Sequence, residues 1–413
     1  MLFKKQTFCI IFLFSVYTLF SQQYQVSLGS GYTHQSFFSA ENGEVLNISN
    51  DNWDISFSTD AFSSSIRIND GKGVELYTYP LGDTSSWNNI NNSTPNILNQ
   101  PMYNSDTSWD IGAFDLNSIG GFDYGWGVYN LQTHHIVGDS LFILKTSSNN
   151  WKKLWIERKV SGEIFFKYAN LDGTNLIHES ILASNFSNKR FIYYSLESNS
   201  VLDREPVKSE WDITFTKYIT EVMGMPYGVT GSLSNQGIEI AKATNINDPF
   251  IYLDYNLHNF EQHINSIGYD WKSYQSGGYV LDENRCYFIR DYNNKIWRII
   301  FTLFEGMSTG NIEFNVELID GSSNVNPYII TNFSLYPNPA DDNFTVFFDV
   351  NGDVQNICLS DITGRVVYKK NVFSYNNLES LKINTTEYKK GIYIVTLHDS
   401  EGALIAEEKL IIN

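Results

Sequence analysis

An internal recurrence constrains this chain more than any other feature. Trp53-Asp54-Ile55-Ser56-Phe57 returns as Trp211-Asp212-Ile213-Thr214-Phe215. Three further matches follow in the same order: Tyr124 to Tyr129 with Tyr269 to Tyr274, Leu141 to Lys145 with Cys286 to Arg290, and Gly162 to Phe166 with Gly310 to Phe314. A spacing of about 150 residues, kept over four motifs, predicts two structural units of one design. A third Trp-Asp-Ile, at Trp109 to Ile111, has no counterpart in the second copy.

Both copies read as β. Segments such as Lys152 to Glu157, Glu163 to Tyr168, Trp297 to Leu303 and Asn311 to Leu318 are short and rich in aromatic and β-branched residues. Gly, Asn, Asp and Ser clusters bound them, as in strands joined by hairpins. Only ten of the 413 residues are Ala, against 44 Asn, 26 Tyr and 28 Phe. The best helix former is scarce and residues suited to a pleated surface are abundant. The chain is expected to be all-β, with at most one short helix between Pro249 and Gly268. Its 28 basic and 46 acidic residues give a net charge of −18. That balance excludes a sequence-independent grip on nucleic acid, which needs Lys and Arg to displace phosphate counterions, and disfavours anionic membrane surfaces.

The N-terminus carries an address. Lys4 and Lys5 precede an apolar run from Phe8 to Phe20, and Ser21 follows, the pattern of a signal peptide spanning residues 1–21. No other stretch approaches the roughly 20 apolar residues of a spanning helix, so no transmembrane helix is expected in the mature chain. Cys286 and Cys358 then remain, in different domains, and no disulfide is expected between them.

A composition shift at Gly321 to Pro327 marks a linker, read as residues 323–331. Residues 332–413 contain none of the nine Trp. They open with Tyr336-Pro337-Asn338-Pro339, continue through an Asp361-x-x-Gly364-Arg365 turn and a Gly391-x-Tyr393 strand, and close with Lys409 before an apolar tail. Short strands with Gly and Pro punctuation make a small immunoglobulin-like sandwich. These residues resemble the type A C-terminal sorting domain of the type IX secretion system. The resemblance implies signal-peptide export to the periplasm, engagement of the type IX machinery, and delivery to the outer surface or the medium.

The preceding cargo divides, on this reading, into β-rich modules at residues 24–184 and 185–322. Their Trp-Asp-Ile-x-Phe strands, Phe-Ile-Lys/Arg hairpins and Gly-x-Ile-x-Phe strands resemble the HmuY-like family of secreted haem-scavenging proteins, which implies haem as a possible ligand. No axial ligand is carried over, because Ser58 and Thr216 follow the motif and neither ligates iron strongly. His134 and His135 point to opposite faces of a strand. His258 and His263 do not share a helical face. No metal site is therefore assigned. No nucleophile elbow, P-loop or His-Glu-x-x-His is present, so no catalytic residue is assigned either. Asp54 and Asp212 are read as structural, bonding turn amides.

Trp126 with Tyr129, and Trp271 with Tyr274, admit two readings: exposed platforms for a sugar ring or porphyrin, or pins of the core. The sequence thus predicts a non-enzymatic exported protein with a duplicated cargo for a small ligand, haem-like or glycan. The alternatives are a surface adhesion protein or a secreted hydrolase.

Overall fold

The computed structural model describes residues 21–60, 63–321, 329–351, 354–372, 379–399 and 404–413. The expected signal peptide therefore lies almost wholly outside the described residues. The described part is nearly all β and contains no α-helix. The segment expected to hold a helix has only a 3-10 turn at Tyr255–Leu257.

Three strands come first: β1 (Gln22–Ser27), β2 (His34–Ser39) and β3 (Gly43–Ser49). Then come β4 (Ile55–Ser58), β5 (Ile66–Ile68), β6 (Glu75–Thr78), β7 (Gly127–Asn130), β8 (His135–Gly138) and β9 (Phe142–Lys145). They are followed by β10 (Trp151–Val160), β11 (Glu163–Asn170), β12 (Ile177–Leu182), β13 (Phe191–Ser195) and β14 (Ser200–Leu202). The second Trp-Asp-Ile leads into β15 (Ile213–Val222), β16 (Met225–Ser234), β17 (Glu239–Thr244) and β18 (Phe260–Glu261). The cargo ends with β19 (Lys272–Gln275), β20 (Gly278–Leu281), β21 (Arg285–Arg290), β22 (Ile296–Phe304) and β23 (Asn311–Asp320).

These strands build two sandwich lobes. Lobe one stacks the sheet β14-β13-β4-β5 on β12-β11-β10-β8-β7, with β9 and β6 added beside β10. Lobe two stacks β16-β15-β2-β3 on β1-β23-β22-β21-β17-β18. The central pairing is the same in both, although the β7–β8 hairpin joins β10 in lobe one while β19–β20 of lobe two forms a sheet of its own. β4 lies between β13 and β5, as β15 lies between β2 and β16. β11 takes β12 at its edge, as β23 takes β1.

Each lobe is therefore finished by a strand and a hairpin that precede the other copy's Trp-Asp-Ile. This corrects the division at residue 184. Residues 22–49 belong to lobe two, and β13–β14 belong to lobe one. The boundary misled because sheets close by hydrogen bonding, and the nearest unpaired edge lies across the molecule.

The repeated Asp residues fasten the incoming hairpins. Asp54 Oδ2 accepts the Leu196 amide at 2.7 Å, and Asp212 Oδ2 accepts the Ala40 amide at 2.7 Å. Asn69 and Asn235 act alike: each donates its side-chain amide to the carbonyl of the motif tryptophan, Trp53 or Trp211. The strands begin only at Ile55 and Ile213. Strict alternation therefore does not reach back to the tryptophans. Ile55 and Ile213 enter the lobe cores, while Trp53 packs with Phe191 and Tyr193 and Trp211 lies edge-on to Phe37.

Those aromatics lie where the outer faces of the two four-stranded sheets meet. Arg204 is fully buried in this seam. Its guanidinium donates to Gln35 Oε1 at 3.0 Å and to the Ser49 carbonyl at 2.8 Å, over the ring of Tyr193. Trp109, of the unmatched Trp-Asp-Ile, crosses the seam and donates its Nε1 to the Ser234 carbonyl at 2.8 Å.

Beyond the cargo lie β24 (Ile329–Tyr336), β25 (Asn343–Asn351), β26 (Val354–Asp361), β27 (Val366–Asn371), β28 (Glu379–Asn384), β29 (Gly391–Asp399) and β30 (Leu404–Ile412). They form the sheets β24-β25-β28 and β27-β26-β29-β30 around one apolar core. Because β24 begins at Ile329, the linker ends earlier than residue 331. Cys286 and Cys358 are buried and unpaired.

Burial raises the Asp54 and Asp212 carboxyls to about 6, against the opposing pull of the amides they accept. Each folded value lies above the reference value of 3.8. The stabilisation is thus full below about pH 3.8 and is lost as pH rises through 6. Asp54→Asn and Asp212→Asn should flatten this slope in urea titrations between pH 4 and 7. Either alanine variant leaves a buried amide unsatisfied and should lower stability by about 1–3 kcal/mol.

Candidate functional site

The four aromatic candidates divide. Trp126 and Trp271 are 1% and 2% exposed and are core residues, so neither offers a platform. Trp126 donates its Nε1 to the Ser64 carbonyl at 2.9 Å. Trp271 stacks on Phe301 with centroids 4.0 Å apart, beneath the Lys272 ammonium. Tyr129 and Tyr274 lie on the β7–β8 and β19–β20 hairpins. The Tyr129 hydroxyl meets His134 Nδ1 at 2.9 Å, and Tyr274 is 66% exposed, edge-on to Tyr279. Both tryptophans stand just before the first strand of their hairpins and turn into the core; three positions on, Tyr274 faces solvent, whereas Tyr129 stays half-buried against the lobe-one core.

What Trp126 supports is a cleft of about 590 Å³ in lobe one. It opens where the two lobes differ. β15 and β16 form one continuous hairpin of ten-residue strands, whereas β4 and β5 have four and three residues. Ahead of β5 runs the serine segment Ser63, Ser64 and Ser65, which lines the cleft. Trp126 holds Ser64 from beneath, and the buried Lys159 ammonium donates to the Ser63 carbonyl at 2.9 Å. Burial lowers the pKa of Lys159 to about 8.

The opposite wall is the 3-10 turn Ala113–Asp115. It approaches β5 so closely that a Cβ on Gly112 would lie 2.0 Å from the Ile66 carbonyl oxygen, so no other residue fits there. Asp115 Oδ2 accepts the amides of Gly112 at 2.6 Å and Ile66 at 3.3 Å. Burial raises this carboxyl to about 7.

Asp60, Asp110 and Asp123 also line the cleft, with the Tyr124 ring and, from lobe two, Gln236. Asp123 is occupied in shaping its own loop through the amides of Ile119 and Gly125. The Ser65 hydroxyl, 2% exposed, lies beside the buried Asp115 carboxyl and, by hydrogen bonding, opposes the rise that burial gives it. No Lys, Arg or His is among the described lining residues. The unmatched Trp109-Asp110-Ile111 reaches this site through Asp110 and Ile111, and comparing the serine run with the β15–β16 hairpin locates the place where the lobes diverge. No cluster of three potential metal ligands occurs among the described residues.

In the C-terminal module the recurrent residues are structural stitches. Asn338 donates its Nδ2 to the Lys409 carbonyl at 2.6 Å and accepts the Ile411 amide at 2.9 Å. The Tyr-Pro-Asn-Pro segment is thereby sewn to β30. Its proline bonds, Tyr336–Pro337 and Asn338–Pro339, are both cis, and the Tyr336 ring is exposed. Asp361 Oδ1 accepts the Thr363 and Arg365 amides while Oδ2 accepts Arg365 Nε at 3.0 Å, across a turn that places Gly364 at φ +83°. The Thr363 hydroxyl, which also donates to Asp361 Oδ1 at 2.6 Å, together with those bonds lowers the Asp361 carboxyl to about 2. Gly391 opens β29, and the buried Tyr393 donates its hydroxyl to the Lys389 carbonyl at 2.8 Å.

A compact β module tied to an all-β cargo is the build of a protein that carries its own export tag. Residues 334–413 match the family described as the secretion system C-terminal sorting domain. The module is a type IX sorting domain, and the chain is accordingly secreted or displayed at the cell surface. The match does not extend into the cargo, and no curated protein matches the chain. Among solved structures the dimeric latent PorU of Porphyromonas gingivalis is matched at 12% identity, covering 68% of this chain and 31% of that one. The chain thus spans under a third of that structure, and the TM-score of 0.20 is too low to carry a shared fold. No helix among the described residues is long and apolar enough to cross a membrane.

Asn338→Ala removes both stitches to β30. The Ile411 amide should then exchange with deuterium at least tenfold faster, while amides of β25 stay protected. Equal exchange in both proteins would show that the strand is held by other contacts.

Proposed function

We propose that residues 1–21 direct export to the periplasm and that the sorting domain then delivers a duplicated, non-catalytic cargo binding a hydroxyl-rich ligand, a glycan, in the lobe-one cleft. The duplication is supported by the shared strand pairing and by the matched Asp54/Asp212 and Asn69/Asn235 bonds. The binding reading rests on the cleft's chemistry. Its walls offer carboxyl and hydroxyl oxygens beside the Tyr124 ring and the apolar Ile111 and Leu116, a surface suited to a ligand with hydrogen-bond donors and apolar ring faces, as sugars have. Haem suits it less well, because its propionates would approach a wall that carries carboxyls and no Lys, Arg or His among the described lining residues.

Absence of catalysis is supported by how the carboxylates are used. Asp115 and Asp123 are bound to the amides of their own loops. An acid–base pair needs carboxyls free to exchange protons with substrate.

Ser65→Ala tests the reading. The Ser65 hydroxyl hydrogen-bonds the buried Asp115 carboxyl, so stability should fall by about 1 kcal/mol. The same change should weaken glycan binding, measured by calorimetry on whichever oligosaccharide a glycan array returns, by about tenfold, or 1.4 kcal/mol. Deleting residues 334–413 should leave the cargo in the periplasm, scored by cell fractionation. A Soret shift on titrating haemin into the purified cargo at micromolar concentration would favour haem instead.

A further inference from the structure

The lobe-one cleft takes one of its lining residues from lobe two. Gln236 is half-buried there, beside Ile111, Leu116 and Tyr124. Its backbone is pinned on both sides: the Gln236 amide donates to Asn235 Oδ1 at 2.9 Å, and the Gln236 carbonyl accepts the Tyr292 hydroxyl at 2.6 Å. Asn235 is tied in turn to the carbonyls of Trp211 and Lys208. Arg190, which leads into β13 of lobe one, reaches across and donates Nε to Asn235 Oδ1 at 3.1 Å and Nη1 to Gln236 Oε1. A guanidinium has donors only, so this bond fixes which end of the carboxamide is oxygen. The Nε2 group is what remains, and among the described residues its two N–H bonds meet no acceptor.

Resting on the glycan reading of this cleft, we infer that the ligand carries N-acetyl groups and that Gln236 selects for them, donating Nε2 to the carbonyl oxygen of an acetamido substituent.

Net charge does not make this choice. Arg67 and Arg190 act on Asp110, Arg67 acts on Asp115 and Lys159 interacts with Asp60, so cations behind the wall offset its carboxyls. Hydrogen-bond polarity makes it. Three of the four lining serines spend their hydroxyl protons on the wall itself: Ser63 on Asp110, Ser65 on Asp115, and Ser118 on the Asp123 carbonyl at 2.5 Å. The cleft is thus well supplied with acceptors and short of donors, and Gln236 is a donor held in place before any ligand arrives. A sugar hydroxyl can turn to give or to accept, whereas a carbonyl oxygen only accepts. A preorganised N–H therefore discriminates most strongly in favour of the carbonyl. The acetamido group fits on two further counts. Its methyl needs apolar neighbours, and Ile111 and Leu116, 45% and 47% exposed, line the same cavity. Its own N–H finds acceptors in the carboxyl oxygens of the wall.

The experiment presents the purified full chain to an array of N-acetylated oligosaccharides and their hydroxyl counterparts, the β-1,4-linked tetramers of N-acetylglucosamine and of glucose among them. The best pair is then measured by calorimetry. The N-acetylated member should bind about tenfold more tightly. In Gln236→Glu the new carboxylate still accepts from Arg190 but has no N–H to offer, so the preference should vanish while the thermal midpoint does not fall. Leu116→Ser, at an exposed position, should reduce the preference severalfold. Equal affinity within the pair, or a preference that survives Gln236→Glu, overturns the assignment and leaves the glycan reading intact. No signal from any glycan overturns both.

Discussion

The edge pairing of β1 with β23 is the interaction on which the cargo depends. Lobe one is one continuous stretch from β4 to β14, whereas lobe two, β15 to β23, is finished only by the far end of the chain, β1 and the β2–β3 hairpin. Removing residues 22–49 would strip lobe two of Val26, Leu28 and Phe38, all buried in its core. Closure also explains why each Trp-Asp-Ile carries Asp at its second position. The carboxyl receives the amide that follows β13 or β2, Leu196 or Ala40, and a residue without an acceptor would leave that amide unsatisfied in the interior.

The shared strand pairing gives the two lobes a common frame, and the frame shows where they differ. Lobe two fills the space beyond its Trp-Asp-Ile with the long β15–β16 hairpin. Lobe one leaves the same space open, lined by serines and carboxylates and braced by Trp126 and Lys159. A cleft in one copy and a solid hairpin in the other is an economical route to a binding surface, because the ladder that holds the lobes together is left untouched by the change.

Much of this was legible in the residues. Short aromatic and β-branched runs between Gly, Asn and Ser clusters announced an all-β chain, and Tyr336 to Pro339 with Arg365 and Lys409 announced the sorting domain. Asp54 was readable as a turn-bonding residue because Asp in a strand start has few other uses. The closure of lobe two by β1 was not readable, since β-pairing over nearly 300 residues leaves no local trace in either partner. The inward turn of Trp126 and Trp271 was undecidable for a related reason: an aromatic residue beside a hairpin suits a core and a ligand shelf equally well, and only the neighbouring sheet decides. The cleft escaped because its carboxyls come from two connections far apart in sequence, and the unmatched Trp109-Asp110-Ile111, which lines it, gave no sign of what it faces.

The pairing of β1 has a consequence in time as well as in space. Gln23 donates to Glu313, a contact spanning 290 positions. A chain that emerges N-terminus first exposes residues 22–49 from the start, yet their partners arrive almost last. Contacts of such high order are slow to form. Until they do, an edge strand and its apolar hairpin stand open to any other unpaired strand. Lobe one, completed by β12–β14, can form earlier and shelter its own edges. The cargo should therefore mature asymmetrically, with a finished lobe waiting on an unfinished one, and its most sticky moment is the interval before β23 is free to close the sheet.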